Sequence, residues 1–280
     1  MATKLNTNPL NNHHLIFKSP KYSGPEWIRT GSNRLLVTIG ESWTRGGGLG
    51  DQRLESVYGR QLATMLKADW CNVSESGQSN LWIANHLEWV CGQLSDWNYS
   101  EVDIILTMTE VGREFNGDLD SDRKYTEILK SVETFDQFLD CLSDLISEQI
   151  TPYLKKHRIW IGTNFIDPNY KGLGTLDQSW LDLIAIATGQ TINQDRCLVV
   201  SSWVYDRFDA IFEFCPNIEK STWLNSVVDH MTRAQHTVDL LMNSDLNYKR
   251  ATKHPNHQGH ELWARYLYDK IISHSSTVQS

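Results

Sequence analysis

The sequence has no dense cluster of basic residues, although it carries many charges. Its 26 Lys and Arg are outnumbered by 34 Asp and Glu, which gives a formal net charge of −8. Nucleic-acid binding by release of counterions needs many basic contacts with phosphates, so the composition argues against a nucleic-acid partner. A small molecule or a neutral polymer suits an acidic chain better.

Long apolar runs and cysteine motifs are also missing. No run reaches the roughly 18 apolar residues of a transmembrane helix, and the N-terminus lacks the basic and then apolar layout of a signal peptide. We therefore expect no membrane partner and a cytoplasmic location. The five cysteines are an odd number without C-x-x-C spacing. Reduced, mostly buried thiols are expected rather than disulfides or a zinc site.

Two motifs that the glycines and serines could have formed are absent. The loop RGGGLG at 45–50 has no G-K-[ST], so it is not a P-loop that holds nucleotide phosphates. Gly40 and Thr44 flank Ser42 at the two relevant positions, so they do not form the G-x-S-x-G elbow of α/β-hydrolases. We expect the glycine-rich loop to let the backbone turn close to Ser42.

The sequence does have a regular alternation of short apolar runs and helix-length segments. Its 280 residues with 40% hydrophobic content suffice for one full core. We expect an N-terminal extension over 1–30, one folded domain over 31–274 and a flexible tail over 275–280. The predicted strands cover 34–40, 68–73, 102–108, 158–165 and 196–203. The predicted helices cover 54–67, 79–93, 131–155, 176–188, 221–242 and 257–273.

The predicted strands are continuously hydrophobic, which is typical of parallel strands covered on both faces. The pattern therefore predicts the α/β class, with a five-stranded parallel sheet between two helical layers in a three-layer α/β/α domain. Ligand sites in such sheets lie beyond the carboxyl ends of the strands. Four residues follow predicted strand ends and should share that rim: Ser42, Gly77, Thr109 and Asn164.

Ser42 and His254 are the candidates for acyl-transfer chemistry. Ser42 comes two residues after the first strand, where a hydroxyl can attack if a base lies near, although turn serines are common there. Pro255 fits the first position of the last helix, which places His254 at a junction from which it can reach the rim. His257 and His260 follow at three-residue steps without an acidic ligand, so we expect surface histidines, no metal and no cofactor.

Four segments together resemble, in order and position, the four sequence blocks of the SGNH (GDSL-type) hydrolases. They are GES at 40–42, NVSESGQSN at 72–80, IILTMTE at 104–110 and HPNHQGH at 254–260. The resemblance runs from about residue 34 to residue 272 and implies an SGNH/flavodoxin-like fold. The glycine-rich first block, with the SGQSN that follows it, is also similar to SGNH-like proteins of large tailed phages and marine viruses.

The resemblance implies a role for several of these residues. Ser42 would be the nucleophile and His254 the general base. The backbone N–H of Gly77 would donate to the oxyanion, and Asn80 in the same block is expected to support the site. The reaction implied is hydrolysis of an ester.

Three positions depart from the family pattern. Glu41 replaces an Asp, which keeps the charge. Thr109 replaces the Asn of the oxyanion hole. Its hydroxyl can donate one hydrogen bond and would be the second oxyanion donor, but loss of a well-placed donor costs on the order of 10² to 10³ in rate. Ala251 replaces the Asp that holds the histidine, and neutralising that carboxylate in a serine-protease triad costs roughly 10⁴. Either Asp245 or a backbone carbonyl orients His254, or the site is a dyad.

These residues predict a serine esterase that acts on an ester or O-acetyl group of a small molecule or carbohydrate. The same groups would also support an acyltransferase. The alternative is a catalytically weakened protein of the same fold that serves binding or assembly, and the departures at Thr109 and Ala251 are the reason to consider it. Arg113 could grip a substrate carboxylate or phosphate through its guanidinium, or pair with Glu110 or Glu114. The oligomeric state is not predicted.

Overall fold

The structure of the protein is a computed structural model. The described residues are 24–109, 130–164, 176–187, 217, 248–249 and 254–277. The predicted strand at 196–203 and the predicted helix at 221–242 lie outside them.

Five strands form one sheet in the described part of the chain. They are β1 (Glu26–Ile28), β2 (Arg34–Gly40), β3 (Asp69–Ser74), β4 (Glu101–Met108) and β5 (Arg158–Thr163). Their order is β1-β3-β2-β4-β5. The pairs β3–β2, β2–β4 and β4–β5 are parallel, which confirms the first four predicted strands and their common direction.

The sheet is mostly parallel, as predicted, and its one antiparallel strand in the described residues is an edge strand that was not predicted. β1 pairs with β3 antiparallel, with Glu26 opposite Asn72. β1 is only three residues long and partly buried, so it lacks the continuous apolar pattern of the central strands. The chain between β1 and β2 is held by Asp69, whose carboxylate accepts from the Thr30 N–H at 2.7 Å and from the Ser32 N–H at 3.2 Å. The sheet thus begins inside the range expected to be an N-terminal extension.

Helices lie between the parallel strands and after the last of them. They are α1 (Ser42–Arg45), α2 (Arg53–Ser56), α3 (Tyr58–Leu66), α4 (Asn80–Trp97), α5 (Phe135–Leu154), α6 (Trp180–Ala187) and α7 (His257–Thr277). A 3₁₀ turn covers Gly50–Gln52, and a short antiparallel pair joins β6 (Tyr248–Lys249) to β7 (His254–Pro255). The helix predicted over 54–67 is divided at Val57, which has an extended backbone. Within the described residues, no helix is both long enough and apolar enough to cross a bilayer.

Helices cover both faces of the sheet, which confirms the three-layer arrangement. On one face, residues of α3, α6 and α7 pack against strand residues that include Leu36 and Trp70. On the other, residues of α4 and α5 pack against strand residues that include Val37 and Ile104. Neighbouring residues of one strand therefore enter different cores, as expected for a sheet buried on both sides.

The order of the strands changes direction next to β2. From β2 the chain crosses to β3 on one side and then to β4 on the other, so the carboxyl ends of β2 and β4 lie at a topological switch point. Open α/β sheets bind their ligands at such points. Ser42 and Thr109 follow these two strand ends.

The described cysteines are free thiols, as expected from their number and spacing. Cys71 is fully buried, whereas Cys91 and Cys141 are only partly buried. Burial raises the pKa of the Cys71 thiol well above its usual value. Cys197 and Cys215 lie outside the described residues.

Candidate active site

Gly40 lets the chain turn tightly from β2 into α1. A methyl group there would lie 2.7 Å from Cβ of Thr44 and 3.1 Å from the carbonyl oxygen of Thr107, so there is no room for a side chain. The helix that follows begins at Ser42, which is only 6% exposed. The serine is therefore held at the rim by a close approach of two backbones.

Glu41 is fully buried, and hydrogen-bond donors converge on its carboxylate. Oε1 accepts from the Trp43 N–H at 3.0 Å, which caps α1. Oε2 accepts from both the backbone N–H and the hydroxyl of Ser42 at close range. Asn164, which follows β5, donates from Nδ2 to Oε1 at 2.6 Å. Glu41 therefore joins the nucleophile candidate to the end of β5.

His254 lies beside the turn that follows Ser42. The Gly47 N–H donates to the Ser42 carbonyl oxygen at 2.7 Å. A methyl group on Gly47 would meet Cδ2 of His254 at 2.8 Å and Nε2 at 2.9 Å. The Nε2 edge of the imidazole thus faces the turn that follows Ser42. Gly47 is therefore a neighbour of both Ser42 and His254, the two residues predicted to react.

Asn80 fixes the backbone of Thr109 at the end of β4. Its Oδ1 accepts from the Thr109 N–H at 2.7 Å, and its Nδ2 donates to the Thr109 carbonyl oxygen at 3.0 Å. Thr109 is 2% exposed, and its hydroxyl has no hydrogen-bond partner among the described residues. An amide that satisfies both backbone groups leaves the threonine hydroxyl available for other partners.

Gly77 occupies the loop between β3 and α4. Its φ of 79° is in the left-handed region, and a methyl group at this position would meet no atom within 4 Å. Next to it, Glu75 is buried, pairs with Arg45 and accepts from the Ser76 N–H at 2.9 Å. The contacts of Glu75 therefore anchor the start of the loop, and there is free space beside the α-carbon of Gly77.

The start of α7 differs from the prediction in two ways. Asn256 caps the helix by accepting from the N–H groups of Gln258 and Gly259 at 3.0 and 3.1 Å, and Pro255 belongs to β7 instead of the first helical position. His260 is not a surface residue but is fully buried. The reason is a long-range contact, because its Nδ1 accepts from the Tyr58 N–H at 3.2 Å.

His260 belongs to an aromatic cluster under the site. It stacks on Tyr58, and Trp180 meets both rings edge-on. Burial lowers the pKa of His260 to about 3 and raises the pKa of Tyr58 to about 12. Both side chains are therefore neutral near pH 7. Within the described part of the chain, no group of three or more His, Cys, Asp and Glu is arranged to hold a metal ion.

The structure brings some of the predicted site residues together and leaves others undescribed. Those within the described residues at this rim are Glu41, Ser42, Gly77, Asn80, Thr109 and His254. Arg113, Asp245 and Ala251 lie outside the described residues. Asn164 was expected at the rim without a role, and its contact with Glu41 spans 123 positions of sequence.

Comparisons with known proteins give distant structural likenesses. No protein-family model matches the chain. A comparison with curated proteins finds no match either. Among solved structures, the chain is similar to a member of the lipolytic protein G-D-S-L family from Veillonella parvula DSM 2008. The identity is 15%, the TM-score is 0.40, and the match covers 84% of this chain and 97% of that chain.

Two esterase structures show a likeness of the same degree. The psychrotrophic esterase EstA from Pseudoalteromonas sp. is 13% identical with a TM-score of 0.40, over 88% of this chain and 100% of that chain. The acetylxylan esterase Axe2 from Geobacillus stearothermophilus is 13% identical with a TM-score of 0.41, over 87% of this chain and 96% of that chain. At such values the likeness assigns no function. The resemblance to viral proteins stays a prediction.

Proposed function

We propose that the protein is an SGNH-type serine esterase that hydrolyses an ester or O-acetyl group of a small molecule or carbohydrate. The observation that carries the proposal is the shared neighbour of the two reactive side chains. Gly47 binds the Ser42 carbonyl oxygen through its N–H, and a methyl group on Gly47 would lie only 2.9 Å from Nε2 of His254. Ser42 and His254 lie beside the same turn, at the carboxyl ends of the parallel strands. A nucleophile and a base that lie close together are the core of an acyl-transfer site.

In the proposed reaction, Ser42 Oγ attacks the carbonyl carbon of the ester. His254 Nε2 takes the hydroxyl proton and returns it to the leaving alcohol. A water molecule then releases the acyl group by the same route. Transfer to a different alcohol would use the same groups and would make the protein an acyltransferase.

The developing oxyanion would be held by the Gly77 N–H and the Thr109 hydroxyl. Gly77 has open space beside it, and the Thr109 hydroxyl has no partner among the described residues. The N–H of Ser42 is a poor third donor, because it already binds the Glu41 carboxylate. Two donors support a tetrahedral intermediate less well than three, since loss of one well-placed donor costs roughly 10² to 10³ in rate.

A second candidate function is binding or assembly by a catalytically weakened protein of this fold. The absence of a carboxylate at position 251, where the chain has Ala251, favours it, because His254 then lacks the usual partner that orients a general base. A binding protein would keep the rim and its affinity for a ligand when Ser42 is replaced. An esterase would lose its turnover.

Labelling with a fluorophosphonate probe separates the two candidates. We expect the wild type to be labelled and Ser42→Ala to be unlabelled. The matched control is Ser74→Ala, which replaces another buried serine at the end of the neighbouring strand β3, where Oγ donates to Asn72 at 2.8 Å. Ser74→Ala should label like the wild type. A folded wild type that does not label would count against the esterase and for the binding protein.

A further inference from the structure

Glu41 and Asn164 form a hydrogen-bonded chain that ends on the proposed nucleophile. The Asn164 amide donates to one carboxylate oxygen of Glu41 at 2.6 Å, and the Ser42 hydroxyl donates to the other. Both Glu41 and Asn164 are fully buried. In such an environment a hydrogen bond to a charged group is strong and directional.

The backbone of Asn164 is anchored independently of its side chain. Its N–H donates to the Met108 carbonyl oxygen at 2.9 Å, which continues the pairing of β4 with β5. The side chain therefore starts from a fixed point on the rim. Its reach to Glu41 links the ends of β5 and β2, two strands that are separated by β4 in the sheet.

The orientation of the Asn164 amide is determined by Glu41. Oδ1 of Asn164 has no hydrogen-bond partner among the described residues, while Nδ2 binds the carboxylate. A flipped amide would place Oδ1 against the negative oxygen of Glu41. A buried acceptor without a partner is unfavourable, so the bond to the carboxylate outweighs that loss.

We propose that Glu41 is a catalytic residue that orients the Ser42 hydroxyl, and that Asn164 is the positioning residue that holds the Glu41 carboxylate in place. This inference rests on the proposed function, because it requires Ser42 to be the nucleophile. A serine hydroxyl turns freely unless a partner holds it, and misplacement of a reacting atom is costly. In the resting site the single hydroxyl proton of Ser42 lies toward Glu41, which fixes the position of Oγ. When Oγ attacks, the O–H turns about the Cβ–Oγ bond and its proton passes to His254, so Glu41 takes no proton.

The test is a double-mutant cycle on the wild type, Asn164→Ala, Glu41→Gln and the double variant. The readouts are the rate constant of fluorophosphonate labelling and the kcat and KM for p-nitrophenyl acetate. Each single variant should lower the labelling rate and kcat by about 10- to 100-fold. KM should change by less than about twofold, because the lost contact is not with the substrate. The double variant should be no slower than Glu41→Gln, because Asn164 acts only through that carboxylate.

The matched control is Asn72→Ala, because Asn72 is also a buried asparagine of the sheet. It accepts from the Thr38 hydroxyl at 3.0 Å and donates to Glu26 at 3.1 Å, and it does not bind Glu41. Its truncation should lower Tm and leave the labelling rate of the folded protein unchanged. A merely structural role of Asn164 would give the same result for Asn164→Ala.

The outcomes separate this inference from the proposed function. If the wild type is not labelled at Ser42, the proposed function fails and this inference fails with it. If the wild type is labelled and Asn164→Ala reacts at the same rate, only this inference is overturned. Effects that multiply in the double variant would also overturn it, because they would mean that the two residues act independently. Asn164→Ser takes the place of Asn164→Ala in the cycle if the alanine variant does not fold.

Discussion

The imidazole of His254 lies where a side chain on Gly47 would be. A methyl group on Gly47 would lie 2.8 Å from Cδ2 and 2.9 Å from Nε2 of the ring, both too close for an ordinary contact. The same glycine donates its N–H to the Ser42 carbonyl oxygen at 2.7 Å. The turn that follows Ser42 therefore lies next to the imidazole of His254.

Gly47→Ala should displace His254 while leaving the fold intact. We expect the rate of ester hydrolysis to fall by about 10- to 100-fold, because a shift of the base by about 1 Å is enough to cause such a loss. The control is Gly92→Ala on the exposed side of α4, where a methyl group would meet nothing within 4 Å. That variant should keep full activity and gain up to about 1 kcal/mol of stability. Equal activity of the two variants would show that His254 need not lie against Gly47.

Asn80→Ala should destabilise the protein more than the loss of a helix cap does. Its amide satisfies both the N–H and the carbonyl oxygen of Thr109 in a buried place. We expect the free energy of unfolding in urea to fall by about 2–4 kcal/mol, since two buried backbone groups lose their partner. Ser79→Ala, which removes the side-chain cap of α4, should cost about 1 kcal/mol. Equal losses would contradict the bridging role of Asn80.

His86 should make stability fall as the solution becomes acidic. It is fully buried against Trp82, and burial lowers its pKa to about 3. Between pH 6.5 and 3 the unfolded chain binds a proton at this residue and the folded chain does not, so stability decreases as pH falls. His260, with a pKa of about 3 for the same reason, acts with the same sign.

The measurement is the free energy of unfolding of the wild type and of His86→Gln from pH 6.5 to pH 5. Each buried histidine contributes a loss of about 2 kcal/mol over that interval, because the slope is about 1.4 kcal/mol per pH unit. His86→Gln should therefore lose about 2 kcal/mol less than the wild type. Parallel curves for the two proteins would mean that His86 becomes charged in the folded state.

Asp103 should matter for stability and not for the site. It is fully buried at the start of β4, and its carboxylate accepts from Arg34 Nη2 at 2.7 Å and from Arg158 Nη2 at 2.6 Å. Asp103→Asn should lower the free energy of unfolding by about 2–4 kcal/mol, because both guanidinium groups lose their nearest carboxylate and keep only the more exposed Glu101 at 3.8 Å. The labelling rate of the folded variant should not change, since Asp103 lies at the opposite end of β4 from Thr109.

The comparison for Asp103 is an exposed ion pair. Asp177 is 68% exposed and pairs with Lys270 at 2.8 Å. Asp177→Asn should change the free energy of unfolding by no more than about 1 kcal/mol. If both variants lost the same stability, burial of Asp103 would not be the cause of its effect.

The central strands could be predicted from the sequence because both of their faces are buried. Their hydrophobic runs are continuous, so β2 was predicted at its observed bounds and the ends of β3 and β4 to within a residue. β1 could not be found in this way. It is short and partly buried, and its position depends on pairing with a strand more than 40 positions away.

The candidate site was predictable where local motifs carry it. Ser42 and Glu41 follow a clear strand end, and His254 precedes the last helix, so their common rim followed from the parallel topology. The contact of Asn164 with the Glu41 carboxylate joins residues 123 positions apart, so no local sequence pattern could indicate it. The burial of His260 was missed for the same reason, because its partner is a backbone N–H at Tyr58.

The measurement that tests the central claim most directly is hydrolysis of a panel of p-nitrophenyl and sugar acetates by the wild type, Ser42→Ala and His254→Ala. We predict turnover by the wild type and a loss of about 10³-fold or more in both variants, since nucleophile and base act as one unit. Equal rates in the three folded proteins would contradict the account and would mean that this rim serves something other than acyl transfer.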